Sequence, residues 1–481
     1  MKKQVLLYNG IGTAIASSDN SPSISLMALA VYLKKNGYSP RLLLNSCSNE
    51  EIKALALESV AAGFSVLTGN GINQSLRIAE RVRRVCPDLP LVWGGYHPTL
   101  KPEQTLKNPL VDFVVRGEGE QTLVELLSAL ENPSDEQFGE IAGLSYKIGD
   151  RQYHNDYRTA LDIKMYPLMD YSLYDHVFRK CEEIPYVSSR GCPFDCGFCC
   201  NAAFNRCHGL KFRQLPMERV IEELAAIVKM YDPDKINFLD DLFLSNQARL
   251  REFIDGYRLM GFKFEWIAYG RCDIFARLAD DVLVELENIN VEKLYFGVES
   301  GSERILRMVN KRIDIADVIR VAERLQGCGL NADFTFINGF PSETEEDVLK
   351  SLDLRRRIKS YLPNATVRFF IYTPLPGTAM LNDCEAFGYV EPGDLAGWGK
   401  YEFHSFRPPW ASKSHAKVIR NISYASMFDT FPLEGGRPVP RNLAIRCLRA
   451  SSRWHFNHGS LRFAPELGAV SCLHRHFLKI G

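Results

Sequence analysis

The chain lacks a charge of one prevailing sign. Its 58 lysines and arginines are matched by 58 aspartates and glutamates, so no global field favours nucleic acid or another polyanion as partner. It also lacks an apolar run of membrane-spanning length, which leaves peripheral contact as the only expected relation to a bilayer. No secretory leader is expected either. The opening Met1-Lys2-Lys3-Gln4-Val5-Leu6-Leu7-Tyr8-Asn9-Gly10 turns polar after too short an apolar stretch. Thirteen cysteines without an export signal point to reduced thiols in the cytoplasm rather than a disulfide framework. Hydrophobic content is ordinary at 46%, enough for a sizeable core, and 481 residues allow two or three domains.

What is present is concentrated in one stretch, Ser188-Ser189-Arg190-Gly191-Cys192-Pro193-Phe194-Asp195-Cys196-Gly197-Phe198-Cys199-Cys200. Cys192, Cys196 and Cys199 have the spacing C-x3-C-x2-C, which suits three irons of a four-iron, four-sulfur cluster. No fourth cysteine follows at ferredoxin spacing. One iron would stay open to a ligand, and an open position marks a reactive centre. The competing reading is structural zinc, which wants four closed ligands, with Cys200, Cys207 or His208 as the fourth.

Before this stretch, short apolar runs alternate with amphipathic ones from Lys3 to about Leu130. The expected strands are Gln4–Tyr8, Arg41–Leu44, Phe64–Thr68, Leu91–Trp93 and Asp112–Val115. The expected helices are Ser25–Gly37, Asn49–Val60, Gln74–Val85 and Gln121–Leu130. Such alternation predicts a doubly wound, Rossmann-like parallel sheet that binds ligands beyond the carboxyl ends of its strands. A small hairpin, Leu144–Lys147 against Arg151–His154, is expected in a linker. Six further strands follow: Tyr186–Ser189, Lys235–Leu239, Lys263–Tyr269, Lys293–Phe296, Asp333–Ile337 and Thr366–Tyr372. Each ends in polar or glycine residues, as site-bearing strands of a βα barrel do. Six units leave such a barrel open on one side. From about Glu391 the alternation stops. Arg446, Arg449 and Arg453 then fall at helical spacing, which fits a cap for an acidic substrate, contact with anionic lipid, or a solvated basic helix. The expected organisation is therefore a sheet domain over 1–135, a linker over 136–175, a partial (β/α)6 barrel over 176–390 and a mainly helical extension over 391–481.

The cysteine stretch, with Phe198 just before the third cysteine, resembles the signature of the radical S-adenosylmethionine (SAM) superfamily. The segments Trp93-Gly94-Gly95-Tyr96-His97-Pro98-Thr99 and Val114-Val115-Arg116-Gly117-Glu118-Gly119-Glu120 resemble the cobalamin (B12)-binding domain that precedes many such barrels. The resemblance implies a [4Fe–4S] cluster whose open iron chelates SAM, one-electron cleavage of SAM, and hydrogen abstraction by the resulting 5′-deoxyadenosyl radical. It implies Phe198, Gly339 and Glu343 near the adenine, Asp240 and Asp241 near the SAM amino group, and Glu299 and Ser300 near the ribose or methionyl part. Arg271 is a candidate for the SAM carboxylate, since a guanidinium forks onto carboxylates. Plainer roles stand beside these: Asp240 and Asp241 as helix caps, Glu343 as a first-turn dipole residue, and Arg271 paired with Asp273. Gly94, Gly95, His97, Gly117 and Glu118 are the candidates for cobalamin, with His97 also readable as a loop hydrogen-bonder. The first loop, Asn9-Gly10-Ile11-Gly12-Thr13-Ala14, departs from the Asp-x-His-x-x-Gly pattern whose histidine ligates cobalt.

Three functions are in play: a cobalamin-dependent C-methyltransferase on a small-molecule or lipid-like biosynthetic intermediate, a radical SAM cyclase, oxidation or rearrangement enzyme, and a non-catalytic cobalamin or redox sensor. The first two call for an electron donor such as flavodoxin or ferredoxin.

Overall fold

The structure, a computed structural model, describes residues 3–10, 18–180, 183–209, 212–401, 403–404, 406–430, 439–459, 461–462 and 464–467. The Ile11-Gly12-Thr13-Ala14 part of the first loop lies outside the described residues.

The first sheet has seven strands: β1 (Gln4–Gly10), β2 (Ser39–Leu42), β3 (Ser59–Val66), β4 (Leu91–Gly94), β5 (Phe113–Val115), β6 (Leu144–Ile148) and β7 (Arg151–His154). Their order is β2-β1-β3-β4-β5-β6-β7. The first five are parallel, and the order reverses beside β1, the switch point where open α/β sheets bind ligands. Alternate residues of β1 feed two cores, which is why the strand reads as a continuous apolar run. Val5 and Leu7 pack with Leu26, Ala30 and Leu33; Leu6 and Tyr8 pack with Ile72, Ile78 and Val82.

Two sequence expectations need correction here. The helix Asn49–Leu57 stops short of Val60, and β3 begins at Ser59 instead of Phe64. Ser59-Val60-Ala61-Ala62-Gly63 has no strong strand preference of its own, but it pairs with β1 and β4, and that pairing overrides local propensity. The hairpin β6–β7 is not a free linker element. It pairs antiparallel with β5, Phe113 opposite Tyr146, and so covers a sheet edge that would otherwise expose unpaired backbone.

The second sheet is formed by β8 (Glu183–Tyr186), β11 (Lys235–Phe238), β12 (Glu265–Gly270), β13 (Val291–Glu299), β14 (Asn331–Asn338) and β15 (Thr366–Ile371). All six are parallel, and β8 and β15 form its two edges. Between β8 and β11 lies a two-stranded ribbon, β9 (Ser189–Arg190) and β10 (Arg213–Gln214). Even-numbered residues such as Phe238, Trp266, Phe296, Phe334 and Phe336 enter one large core with the outer helices. By strand alternation Asn237, Tyr269, Tyr295, Thr335 and Ile337 face the concave side.

The C-terminal region docks along the β15 edge. The helix Lys413–Thr430 accepts through Ser426, whose Oγ takes a hydrogen bond from Phe369 N–H at 2.9 Å, and Ile371 N–H reaches Phe403 O at 2.8 Å. Arg453, on the helix Val439–His458, is bound to Asp429, which also holds Arg355 at 2.9 Å. That arginine is thus part of the packing of the extension. Among the described residues no helix is long and apolar enough to cross a membrane.

Candidate active site

The cysteine loop leaves β9 through Gly191, whose φ of +78° favours glycine, and ends in the helix Cys200–His208. Its middle is clamped from the far side of the barrel. Gly197 N–H donates to Val309 O at 2.8 Å, and Met380 N–H donates to Gly197 O at 3.1 Å. Asn310 Nδ2 reaches Asp195 O at 3.2 Å, and Arg312 pairs with the Asp195 carboxylate at 3.1 Å. Arg271 lies behind this clamp. Its guanidinium stacks on Phe194 at 3.6 Å, donates to Lys311 O at 2.7 Å and pairs with Asp273 at 3.0 Å. Arg271 therefore braces the loop through its Nε and Nη2 donors.

Burial pushes the Cys192 thiol up and raises Cys199 to about 11 and Cys200 to about 12. The thiolate forms are costly here until metal charge compensates them, so metal binding must release protons. Among the described residues no three His, Cys, Asp or Glu side chains are gathered closely enough for a single ion. Cys192, Cys196 and Cys199 lie together on one clamped loop, and this donor set of three thiolates suits a cluster with an open iron. His208 packs edge-on against Tyr157 at 4.4 Å and near Phe204 at 5.0 Å, and its Nε2 is buried without a partner.

The residues expected around SAM fall into three groups. Phe198 lies 6.0 Å from Phe340, which brings it to the Gly339–Glu343 turn. There Gly339 has φ +90°, its N–H donates to Glu343 Oε2 at 2.5 Å, and its carbonyl accepts from Trp410 Nε1 at 2.9 Å. Glu343 Oε1 and both side-chain polar atoms of Asn338 are buried without a partner, which a native site rarely leaves so. Glu299, at φ +69°, forms a buried pair with Lys311 at 2.6 Å. Ser300 Oγ accepts from Ser302 N–H at 3.1 Å. Asp240 spends its oxygens on Ser188 N–H at 3.0 Å, Ser188 Oγ at 2.9 Å and Ser189 Oγ. It thereby fixes the strand that enters the cysteine loop. Asp241 instead opens on a cavity and bonds Asn201. Surrounding protein, then the charge of Asp240, push its carboxyl up to about 6.

That cavity, of about 470 Å³, lies between the two sheets. One wall is made of carboxyl ends of the first sheet, Ser65, Leu67, Gly94, Gly95, Gly117 and Glu118; the other includes Ser189, Arg190, Gly191, Phe204, Asn205 and Asp241. Among the described lining residues there is no histidine. His97 sits behind the wall, with Nδ1 3.0 Å from Thr68 Oγ1 and its ring 5.6 Å from Trp398. Burial lowers this imidazole to about 3, so it stays neutral. Arg190, Tyr96, Tyr166, Phe204 and Asn205 line the cavity but were absent from the sequence candidates. Arg190 and Tyr96 stood inside the two motifs already singled out; Tyr166 carried no local signal.

Gly95 explains the closeness of this wall. Its φ is +94°, and a Cβ there would stand 2.8 Å from Val66 O. Gly95→Ala is expected to destabilise the first domain by about 1–3 kcal/mol and to cut cobalamin retention while iron content stays at the wild-type level. Iron and corrin analyses on the same sample, with thermal unfolding, check this.

A three-thiolate loop at the mouth of an open parallel barrel, facing a doubly wound sheet across a cavity, defines an enzyme that works through bound cofactors. Residues 13–127 match the B12 binding domain family, and residues 186–355 match the Radical SAM superfamily. The chain belongs to the radical SAM superfamily, among the members with an N-terminal B12-binding domain. It is 32% identical over 318 residues to an uncharacterized methyltransferase of Pyrococcus horikoshii, covering 65% of this chain and 67% of that one. It is 25% identical to the anaerobic magnesium-protoporphyrin IX monomethyl ester cyclase of Rubrivivax gelatinosus, covering 80% and 71%. In structure it resembles the radical SAM methyltransferase TsrM of Kitasatospora setae, solved with cobalamin and a [4Fe–4S] cluster. The TM-score is 0.65 at 17% identity, over 81% of this chain and 79% of that one. At that identity the likeness concerns the fold.

Proposed function

We propose that this chain is a cobalamin-dependent radical SAM methyltransferase acting on a carbon of a small-molecule biosynthetic intermediate in the cytoplasm. The observation that carries the reading is the cavity. It joins the glycine-rimmed carboxyl ends of the first sheet to the entry of the cysteine loop, so a corrin seated there faces the barrel. When bound, the cluster with SAM supplies a hydrogen-abstracting radical, and cobalamin supplies a methyl group.

The protein's own share is holding and shielding. Cys192, Cys196 and Cys199 would hold the cluster. Phe198 and the Gly339–Glu343 turn would seat the adenine, with the unpartnered Glu343 Oε1 and Asn338 amide as free polar groups toward SAM. Gly94, Gly95 and Gly117 would let the corrin approach the backbone. Electrons would come from a small donor such as flavodoxin or ferredoxin.

A second reading, cyclisation or another radical outcome without methyl transfer, is favoured by the likeness to the Rubrivivax cyclase. The visible spectrum separates the two. Protein purified without oxygen, reconstituted with iron and sulfide, offered hydroxocobalamin and desalted should keep one corrin per chain beside a broad iron–sulfur band. The band should bleach in air, because an open iron is oxidised. An iron–sulfur band without corrin would make the first domain a scaffold and favour the second reading; a colourless, air-stable protein would defeat both.

A further inference from the structure

The cavity wall and the cysteine loop share one side chain. Arg190 ends β9, one residue before the turn at Gly191 and two before Cys192. Its guanidinium leaves the barrel and meets the first domain. It pairs with Glu120 at 2.6 Å and Glu118 at 3.6 Å, both from the Gly117-Glu118-Gly119-Glu120 loop. It also lies 3.9 Å over the ring of Tyr166, whose hydroxyl donates to Glu118 at 2.6 Å. Tyr166 belongs to the segment joining the two domains. Arg213, directly opposite Arg190 in the β9–β10 ribbon, donates to Glu118 at 3.2 Å and to Leu161 O at 2.7 Å.

This network has two arginines and two glutamates and no net charge. Glu120 is buried at 5% exposure, and the Glu118 and Arg213 side chains are 13% and 17% exposed. A network so enclosed moves as a unit, since separating one partner strands a buried charge. Arg190, Gly117, Glu118, Gly119, Glu120 and Gly191 all line the cavity. A ligand in the cavity would have Arg190 within its wall, and the backbone of Arg190 carries the cysteine loop.

We propose that Arg190 is a positioning residue that couples the two cofactor sites, so that cobalamin in the cavity and SAM on the cluster each bind more tightly when the other is present. The inference rests on the cobalamin reading above. Cobalamin orders the Arg190–Glu118–Glu120 network, which fixes the start of the cysteine loop, and SAM then meets a site already set. Pre-ordering by one ligand lowers the entropy the second must lose. Because the coupling is thermodynamic, its factor must be the same from either side.

The test uses the full chain, anaerobic, reconstituted with iron and sulfide, and without reductant, so that SAM binds but is not turned over. SAM affinity is measured with and without stoichiometric hydroxocobalamin, and hydroxocobalamin affinity with and without SAM. For the wild type we expect about a tenfold tightening in both directions, within the usual range of allosteric coupling. Arg190→Met should bring the factor close to one in both directions, with Arg190→Lys between. Glu120→Gln, in the first domain and away from the cluster ligands, should also lower the factor, and it serves if Arg190→Met fails to take up iron. The exchange Glu120→Arg/Arg190→Glu should restore part of the coupling. A latch that is only structural would weaken both affinities and leave their ratio unchanged. Equal SAM affinity with and without retained corrin in the wild type overturns the proposal alone, as does full coupling in Arg190→Met and Glu120→Gln. A wild-type chain that retains no corrin overturns the cobalamin reading and this inference together.

Discussion

Replacing Cys196 by alanine is expected to abolish SAM cleavage while the first domain keeps its fold and its cobalamin. Cys196 is the buried member of the three cysteines, at 7% exposure. Asp195 before it and Gly197 after it are both clamped by residues 309–312. The alanine therefore sits in a loop whose backbone is held by other contacts, and the change removes a ligand without collapsing the site. Two thiolates cannot hold the four-iron cube that three ligate, so iron per chain should fall to background. Without the open iron there is nothing to chelate SAM. The two cores of the first domain, one of them shared with Leu395 and Trp398 of the C-terminal region, include no residue of the cysteine loop, so its unfolding transition and corrin uptake should persist. The measurement is iron and 5′-deoxyadenosine per chain, with circular dichroism and corrin absorbance on the same preparation. Cleavage at more than a few per cent of the wild type would place the iron ligands elsewhere.

Much of this architecture is visible in the residues because it is written locally. Most barrel strands are short apolar runs closed by a polar or glycine turn, and all six appear in the expected order, although the first is Glu183–Tyr186 instead of Tyr186–Ser189, because the chain after Tyr186 leaves the sheet for the β9–β10 ribbon. The cysteine spacing is likewise a local signal. Contacts between distant segments are not written that way. Nothing around Leu144–Ile148 announces that it will pair with β5, since a hairpin looks the same paired or free. Arg190 stands in the cysteine motif, yet its partners Glu118 and Glu120 lie some seventy residues earlier, and only the docking of the two sheets brings them together. Asp240 shows the converse. A pair of aspartates at a strand end reads equally well as ligand or brace, and the three hydroxyl and amide donors that occupy Asp240 become visible only once Ser188 and Ser189 are placed beside it. Arg271 belongs to the same class; its pairing with Asp273 was foreseeable at two residues' distance, but its hold on the Lys311 and Arg312 carbonyls was not.

Glu299→Ala has the other large expected effect, and it separates touching SAM from holding the site. Glu299 and Lys311 form an ion pair with both side chains under 10% exposed. Burial alone would lower the lysine, but the Glu299 carboxylate and the nearby Cys196 sulfur together hold it raised. Gly297 makes room for the pair, since a Cβ there would stand 2.4 Å from Glu299 Oε1 and 2.9 Å from Lys311 Nζ. Removing the carboxylate leaves a buried, unpaired cation, which costs about 3–5 kcal/mol. Lys311 lies in the same turn whose Val309 carbonyl holds Gly197, so a displaced lysine loosens the cysteine loop too. SAM affinity should therefore fall in Glu299→Ala, and more than cobalamin affinity, whether or not the carboxylate meets SAM. The double change Glu299→Gln/Lys311→Met decides between the two roles, because it removes both charges and leaves neither stranded. If stability and SAM affinity both recover, Glu299 acts by holding the loop. If stability recovers and SAM affinity stays low, the carboxylate itself meets SAM. Wild-type SAM affinity in Glu299→Ala would remove the residue from the site altogether.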